Sequence, residues 1–198
     1  MQTKENYKQY VKAFLIENSK VNLISKNDEK YLWEKHIFDS LAIEKFFTKY
    51  EINSRQTLLD IGTGGGFPSV PIAIQYPTLE VFALDSIRKK INAIENIKTE
   101  LQLKNLHTIC DRAENIHQKF DIITSRAVAS LDKITSLSLP LLKKDGYFIA
   151  YKSIKTDDEI KNAENILKKF KAKVVDIIQY DLPLEENHTR NLIIIKFS

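Results

Sequence analysis

Apolar positions in the first fifty residues recur at helical spacing. Tyr7, Val11, Phe14 and Leu15 mark one face, and Leu32, Trp33, Ile37, Leu41 and Phe47 mark a second helix that Asp28 is placed to cap. From Gln56 onward, short apolar runs alternate with longer amphipathic segments. The pattern predicts strands at 57–61, 79–84, 106–110, 120–124 and 145–152, with helices at 68–76, 86–102, 130–142 and 157–170. Ile87, Ile91, Ile94 and Leu101 form the apolar face of the second of these helices. Ile160, Ala163, Ile166, Leu167 and Phe170 form that of the last. Continuous apolar strands between helices predict a parallel sheet covered on both faces. The ending departs from that rhythm: runs at 173–180 and 190–197 have only a short connector between them, so an antiparallel pair is expected. The chain thus reads as one α/β domain over 1–198, doubly wound and mostly parallel, with seven strands, a C-terminal antiparallel hairpin and a helical extension over 1–50. No repeat, low-complexity tract or linker interrupts it.

The first predicted strand runs into Asp60-Ile61-Gly62-Thr63-Gly64-Gly65-Gly66-Phe67-Pro68. A buried strand feeding a glycine-rich turn and then a helix is how α/β proteins cradle a nucleotide-like cofactor, because a Cβ would block close approach of the backbone. A dinucleotide fingerprint begun at Gly62 requires glycine at 67, where Phe67 stands. The spacing G-x-G-x-G is instead the form used by S-adenosylmethionine-dependent methyltransferases, and the C-terminal hairpin is the mark of their variant of the doubly wound fold. Taken alone, the glycines fit a tight turn equally well. Asp85 ends the second strand, 23 positions after Gly62, where a carboxylate accepts from ribose hydroxyls. It is also placed to cap the helix that begins near Ser86, and the two roles are compatible.

Composition narrows the class. At 198 residues, 43% hydrophobic and 28% charged, the chain fits one domain with a substantial core. Its apolar runs, such as 192–195, are too short to cross a bilayer, and Met1 to Asn6 lack the apolar stretch of a secretory signal. A single cysteine, Cys110, excludes an internal disulfide and fits a reducing compartment, so a cytoplasmic location is expected. Cys110 itself reads as a buried structural thiol within the third strand. The net charge of +4 decides little, but basic residues cluster at Arg88-Lys89-Lys90, at Lys143-Lys144, at Lys152 with Lys155, and from Lys168 to Lys173. Each cluster by itself is a solvated face. Gathered at one rim of the sheet, such groups would contact phosphates.

Three segments together resemble one family. Val21-Asn22-Leu23-Ile24-Ser25, then Glu34-Lys35-His36-Ile37-Phe38-Asp39-Ser40-Leu41, resembles an N-terminal "NLT…RHxxDSL" pattern. The glycine loop with Pro68 and Pro71 is similar to "DxGTGxGxPGxP", and Thr124-Ser125-Arg126-Ala127 with Ala129 to "SRAxA". The family is the bacterial 16S ribosomal RNA guanine N7-methyltransferases, also called glucose-inhibited division protein B. The likeness runs from about residue 20 to the C-terminus, with Ser69 in place of the usual glycine and a short N-terminal helical region. It implies S-adenosylmethionine contacts at Gly62, Gly64 and Phe67, at Asp85, at Ala113 and Glu114, and at Arg126. It implies RNA contacts at Lys89, Lys90, Arg112 and Arg190, with His36 from the N-terminal motif. The substrate it implies is a guanine in the 530 loop of 16S rRNA, presented as free RNA or in the small ribosomal subunit, and the working expectation is a monomer.

Guanine N7 carries an in-plane lone pair and no proton, so methylation there requires alignment and exclusion of water rather than a general base. No Asn-Pro-Pro-Tyr or Asp-Pro-Pro-Tyr follows the fourth strand, as an amino-group methyltransferase would carry. Arg126, just past a strand end, is a candidate for positioning: it either pairs with the cofactor carboxylate, holds the guanine, or forms a surface ion pair with Asp132 or Glu114. His36 shares its helix with Asp39 and Ser40, while Trp33 and Phe38 read as core. The alternatives are a class I methyltransferase acting on another RNA, a small molecule or a protein, then a nicotinamide-dependent oxidoreductase, and last a non-enzymatic RNA-binding module.

Overall fold

The computed structural model describes residues 4–50, 56–154, 156–186 and 188–197. Seven strands form one sheet: β1 (Thr57–Ile61), β2 (Glu80–Leu84), β3 (Leu106–Ile109), β4 (Phe120–Arg126), β5 (Leu142–Ser153), β6 (Ala172–Leu182) and β7 (His188–Phe197). Their order is β3-β2-β1-β4-β5-β7-β6. β1 to β5 are parallel, and β7 runs antiparallel between β5 and β6. The order reverses between β1 and β4, which opens a crevice beyond the C-terminal ends of those strands.

The helices are α1 (Lys8–Val21), α2 (Lys26–Glu29), α3 (Asp39–Leu41), α4 (Glu44–Lys49), α5 (Ser69–Gln75), α6 (Arg88–Glu100), α7 (Leu131–Ser138) and α8 (Asp157–Lys169). Neighbouring strand residues point to opposite faces, and both faces are covered. Leu58, Leu192 and Ile194 pack with Tyr7, Phe14, Val70 and Ile94 under the N-terminal helices, α5 and α6. Leu59, Ile193 and Ile195 pack with Leu131, Ile134, Ala163 and Leu167 of α7 and α8. Burial on both sides is why these strands read as unbroken apolar runs. Asn105, just before β3, donates from Nδ2 to the carbonyls of Ala73, Tyr76 and Leu79, tying the end of α5 to the start of β2.

Several expectations need correction. On α1 the buried face is Tyr10, Ala13 and Phe14, while Leu15 is 37% exposed. Ser25, not Asp28, caps the second helix: its Oγ accepts from the Asp28 amide and donates to the Asp28 carboxylate. The segment Leu32–Phe38 is π-helical. The helix expected at 130–142 ends at Ser138 and continues as a 3-10 turn, Leu139–Leu141, so β5 starts three residues earlier than expected. Cys110 lies one residue beyond β3 and is only half-buried.

Candidate functional site

β1 ends at Ile61 and the chain turns back across β2. The amides of Gly62 and Thr63 both donate to the carbonyl of Leu84, at 2.8 and 2.9 Å. Gly64 N donates to Asp85 Oδ2 at 2.9 Å, and Asp85 Oδ1 accepts from Ile87 N at 2.9 Å, one residue before α6. Asp85 is therefore a clasp between the glycine loop and the start of α6, and it also faces the crevice. Beneath the loop, buried Asp60 accepts from Ser69 N at 3.3 Å and from Thr124 Oγ1 at 3.0 Å, which joins β1 to α5 and β4. Burial pushes the Asp60 carboxyl up to about 6 despite these donors.

The crevice is a cavity of about 960 Å³. Gly62, Gly64 and Phe67 line it from the loop, Asp85 from the end of β2, Ala113 and Glu114 from the turn after β3, and Arg126 from the end of β4. Lys90, Arg112, Arg190 and His36 line the same cavity. Lys89 does not: it is exposed on the first turn of α6, outside the wall. Of the other basic clusters, Lys152 reaches the cavity but is committed to Glu159 at 2.6 Å and to the Ala129 carbonyl. Lys143 pairs with Asp121, which holds the N-terminal end of β1 through Thr57, away from the cavity. Lys155 lies outside the described residues. Ile87 and Val128, 41% and 44% exposed, supply apolar wall. Ile87 was expected on the apolar face of its helix, but it precedes the first turn of α6 and faces the cavity instead of the core, and Val128 carried no periodic signal.

Arg126 takes neither of the partners considered for its surface ion pair, Asp132 and Glu114. Its Nη1 donates to Asp39 Oδ2 at 2.8 Å and to the Lys35 carbonyl at 3.1 Å, and its Nη2 donates to His36 Nδ1 at 3.1 Å. The guanidinium lies over the Phe67 ring, 5.2 Å from its centroid. The pair is largely shielded from water, with side-chain exposures of 15% for Arg126 and 7% for Asp39. Asp39 Oδ1 accepts from the Tyr180 hydroxyl at 2.6 Å, and the Tyr151 hydroxyl donates to the Ser40 carbonyl at 2.8 Å. Two strands of the C-terminal half thus grip consecutive residues of α3. Asp39 stands three residues after His36 in the quoted motif, which was its only sequence signal. Tyr180 had none.

An arginine only donates, so His36 Nδ1 is the acceptor and the imidazole proton sits on Nε2. That nitrogen is buried with no partner among the described residues. Burial, and then the Arg126 charge, lower the His36 pKa to about 4, so the ring is neutral at physiological pH. Its basic nitrogen is already occupied, which leaves it unsuited to accept a proton from a ligand.

The loop passes a fit test for a nucleoside-like ligand. Gly64 has φ 58°, and a Cβ there would project into open cavity, with no heavy atom nearer than the Gly62 carbonyl oxygen at 3.9 Å. Gly62 has φ 71°, and its Cβ would collide with Val128. The backbone is thereby bare at Gly64, while at Gly62 it is already covered by the Val128 side chain. The arrangement leaves room for a ligand against the Gly64 backbone, with Lys90, Arg112 and Arg190 among the residues around it.

Residues 3–192 match the family described as GidB, rRNA small subunit methyltransferase G. A ribosomal RNA small subunit methyltransferase G of Lachnoclostridium phytofermentans is 38% identical over 97% of this chain and 80% of the relative. Its counterpart in Bacillus licheniformis is 36% identical over 97% of this chain and 81% of the relative. Among solved structures, a SAM-dependent O-methyltransferase from Thermotoga maritima superposes with a TM-score of 0.59 at 16% identity, covering 81% of this chain and 64% of that one. That likeness is one of fold.

Proposed function

The chain belongs to the rRNA small subunit methyltransferase G family, and from that premise we propose that it transfers a methyl group from S-adenosylmethionine to N7 of a guanine in the 530 loop of 16S rRNA. The observation that carries the reading is one cavity lined both by the bare backbone of Gly64 and by the cations Lys90, Arg112 and Arg190. We place the activity in the cytoplasm, with a monomer acting on free rRNA or the small subunit. Among the described residues no helix is long and apolar enough to cross a membrane.

When bound, the cofactor supplies an electrophilic methyl group on a sulfonium. Gly62, Gly64 and Phe67, which line the cavity, would hold it against the loop, and Ala113 with Glu114 would close the side beyond β3. Asp85 spends one lone pair on each of two backbone amides, and a carboxylate has about four, so two remain for ribose hydroxyls. Arg126 has five N–H donors, three of them in the bonds above, and five minus three leaves two for an anionic group in the cavity. Lys90, Arg112 and Arg190 bind RNA phosphates at the rim, and Lys89 adds a contact just outside it. N7 has no proton to lose, so the residues contribute alignment and a dry wall, an effect worth several orders of magnitude in rate.

The test is a methylation assay of the full chain with tritium-labelled cofactor on unmodified 16S rRNA and on small subunits lacking the modification. Mapping by reduction and strand cleavage at 7-methylguanine should place the label in the 530 loop. Label at another atom or another nucleotide, or no transfer to either substrate, would overturn the assignment.

A further inference from the structure

Asp39 is a carboxylate buried under the N-terminal helices, and each of its oxygens has one strong donor. Oδ2 has Arg126 at 2.8 Å and Oδ1 has the Tyr180 hydroxyl at 2.6 Å. Tyr180 sits on β6, the outermost strand of the C-terminal hairpin, 141 residues from Asp39 in sequence. It does not line the cavity, and its ring is packed in the core at 5% exposure. A phenylalanine would pack equally well there. Among the described residues the hydroxyl's partner is Asp39, and burial keeps the phenol protonated, and therefore donating, across the working pH range.

A buried carboxylate that loses one donor is costly to leave short, which favours any movement that brings it closer to its remaining partner. Here that partner is the Arg126 fork, which also serves the Lys35 carbonyl and His36 Nδ1. Movement of Asp39 would redirect the two donors that Arg126 keeps free for the cavity. We propose that Tyr180 is a positioning residue of the cofactor site: acting through Asp39, its hydroxyl sets the orientation of Arg126. This rests on the reading that the free donors of Arg126 serve the cofactor. It makes the C-terminal hairpin a functional part of a site otherwise built at the ends of the parallel strands.

A double-mutant cycle separates this from a merely structural role. Calorimetry of S-adenosylhomocysteine is run on the full chain as wild type, Tyr180→Phe, Arg126→Ala and the double variant, with thermal midpoints recorded for each. Tyr180→Phe should weaken binding about tenfold, as expected for one hydrogen bond to a charged group. In the Arg126→Ala background the same substitution should change affinity by less than about twofold, because its route of action is gone. An equal fold-loss in both backgrounds, or wild-type affinity in Tyr180→Phe, would overturn the proposal. If Tyr180→Phe does not fold, 4-fluorophenylalanine at position 180 fills the space of the hydroxyl without a proton to donate and carries the same cycle with the same expectation. The substrate assignment is judged separately. Wild-type protein that binds the cofactor product and shows the coupling, but leaves 16S rRNA unmethylated, would sink that assignment and leave Tyr180 in its role.

Discussion

Gly64 stands at φ 58° with open cavity where a side chain would be, so its requirement for glycine has two sources. An alanine would pay about 1–2 kcal/mol for the left-handed backbone and would also put a methyl group into the space reserved for ligand. Gly64→Ala should therefore lower S-adenosylhomocysteine affinity by more than it lowers stability. Equal losses in calorimetry and urea unfolding would reduce the loop to a turn. His36 makes a prediction of opposite kind. Its folded pKa of about 4 lies below the unfolded value of 6.5, so as pH falls through that interval the unfolded chain gains a proton that the folded chain refuses. The neutral histidine thus costs stability toward acid, in total on the order of 3 kcal/mol. Urea midpoints of wild type and His36→Gln should converge near neutrality or above and diverge below pH 6, with the wild type falling more steeply. Asp60, raised to about 6, slopes the other way but is present in both proteins, so the difference isolates His36. An NMR titration placing the His36 midpoint between 6 and 7 would contradict the buried, arginine-bound imidazole. With the only basic imidazole nitrogen of this wall occupied, turnover at saturating RNA and cofactor should be flat from about pH 6 to 8.5. An ascending limb at a histidine or carboxylate pKa would restore the search for a general base.

The central elements were legible because β1, β4 and β7 are buried on both faces while the helices are apolar on one, and that contrast survives in the residue pattern. The boundaries of β1, β2, β4 and the hairpin fall within a few residues of expectation for that reason. The N-terminal elements were harder. Tyr7, Tyr10, Phe14 and Trp33 pack edge-on into one aromatic cluster with Phe67, so burial there follows ring contacts across segments rather than spacing within one helix. Leu15 has helical spacing but lies outside that cluster. Ser25 outcompeted Asp28 as a cap because a capping side chain must precede the first turn, and only the structure says where the turn begins. Asn105 is another connector with no periodic signal. Its amide holds three carbonyls at 3.0–3.1 Å around the α5-to-β2 connection. Asn105→Ala would strand those buried acceptors at a cost of about 2 kcal/mol, a drop of roughly 4–8 °C in thermal midpoint for a chain this size. Since α5 carries the far end of the glycine loop, cofactor affinity should fall with stability in that variant. A midpoint within 1 °C of wild type, against the roughly 4–8 °C expected, would mean that water satisfies the same carbonyls.

At the scale of the whole molecule, sequence and structure divide the site differently. The glycine loop and Asp85 belong to short segments whose signal is local, and reading the chain from end to end singled them out; the turn at Ala113 came from the family resemblance alone. The Arg126–Asp39–Tyr180 connection joins the N-terminal helices, the fourth strand and the C-terminal hairpin, and no spacing rule spans 141 residues. Charge behaves the same way. A net charge of +4 is too small to predict a polyanionic partner, yet the fold brings Lys90, Arg112 and Arg190 from α6, the turn after β3 and β7 around one cavity. It sends Lys143 to the opposite end of the strands, paired with Asp121. That separation supplies an internal control for RNA binding. Each phosphate contact releases counterions, so single alanine substitutions at Lys90, Arg112 or Arg190 should flatten the plot of log affinity against log salt by about 0.7–0.9. Lys89, outside the wall, should contribute a smaller change, and Lys143→Ala none. S-adenosylhomocysteine affinity should stay near wild type in the Lys143 and Lys89 variants, since neither residue lines the cavity. If Lys143→Ala flattened the slope as much as Lys90→Ala, the RNA would have to wrap both ends of the sheet. The cavity rim would then lose its claim to be the interface.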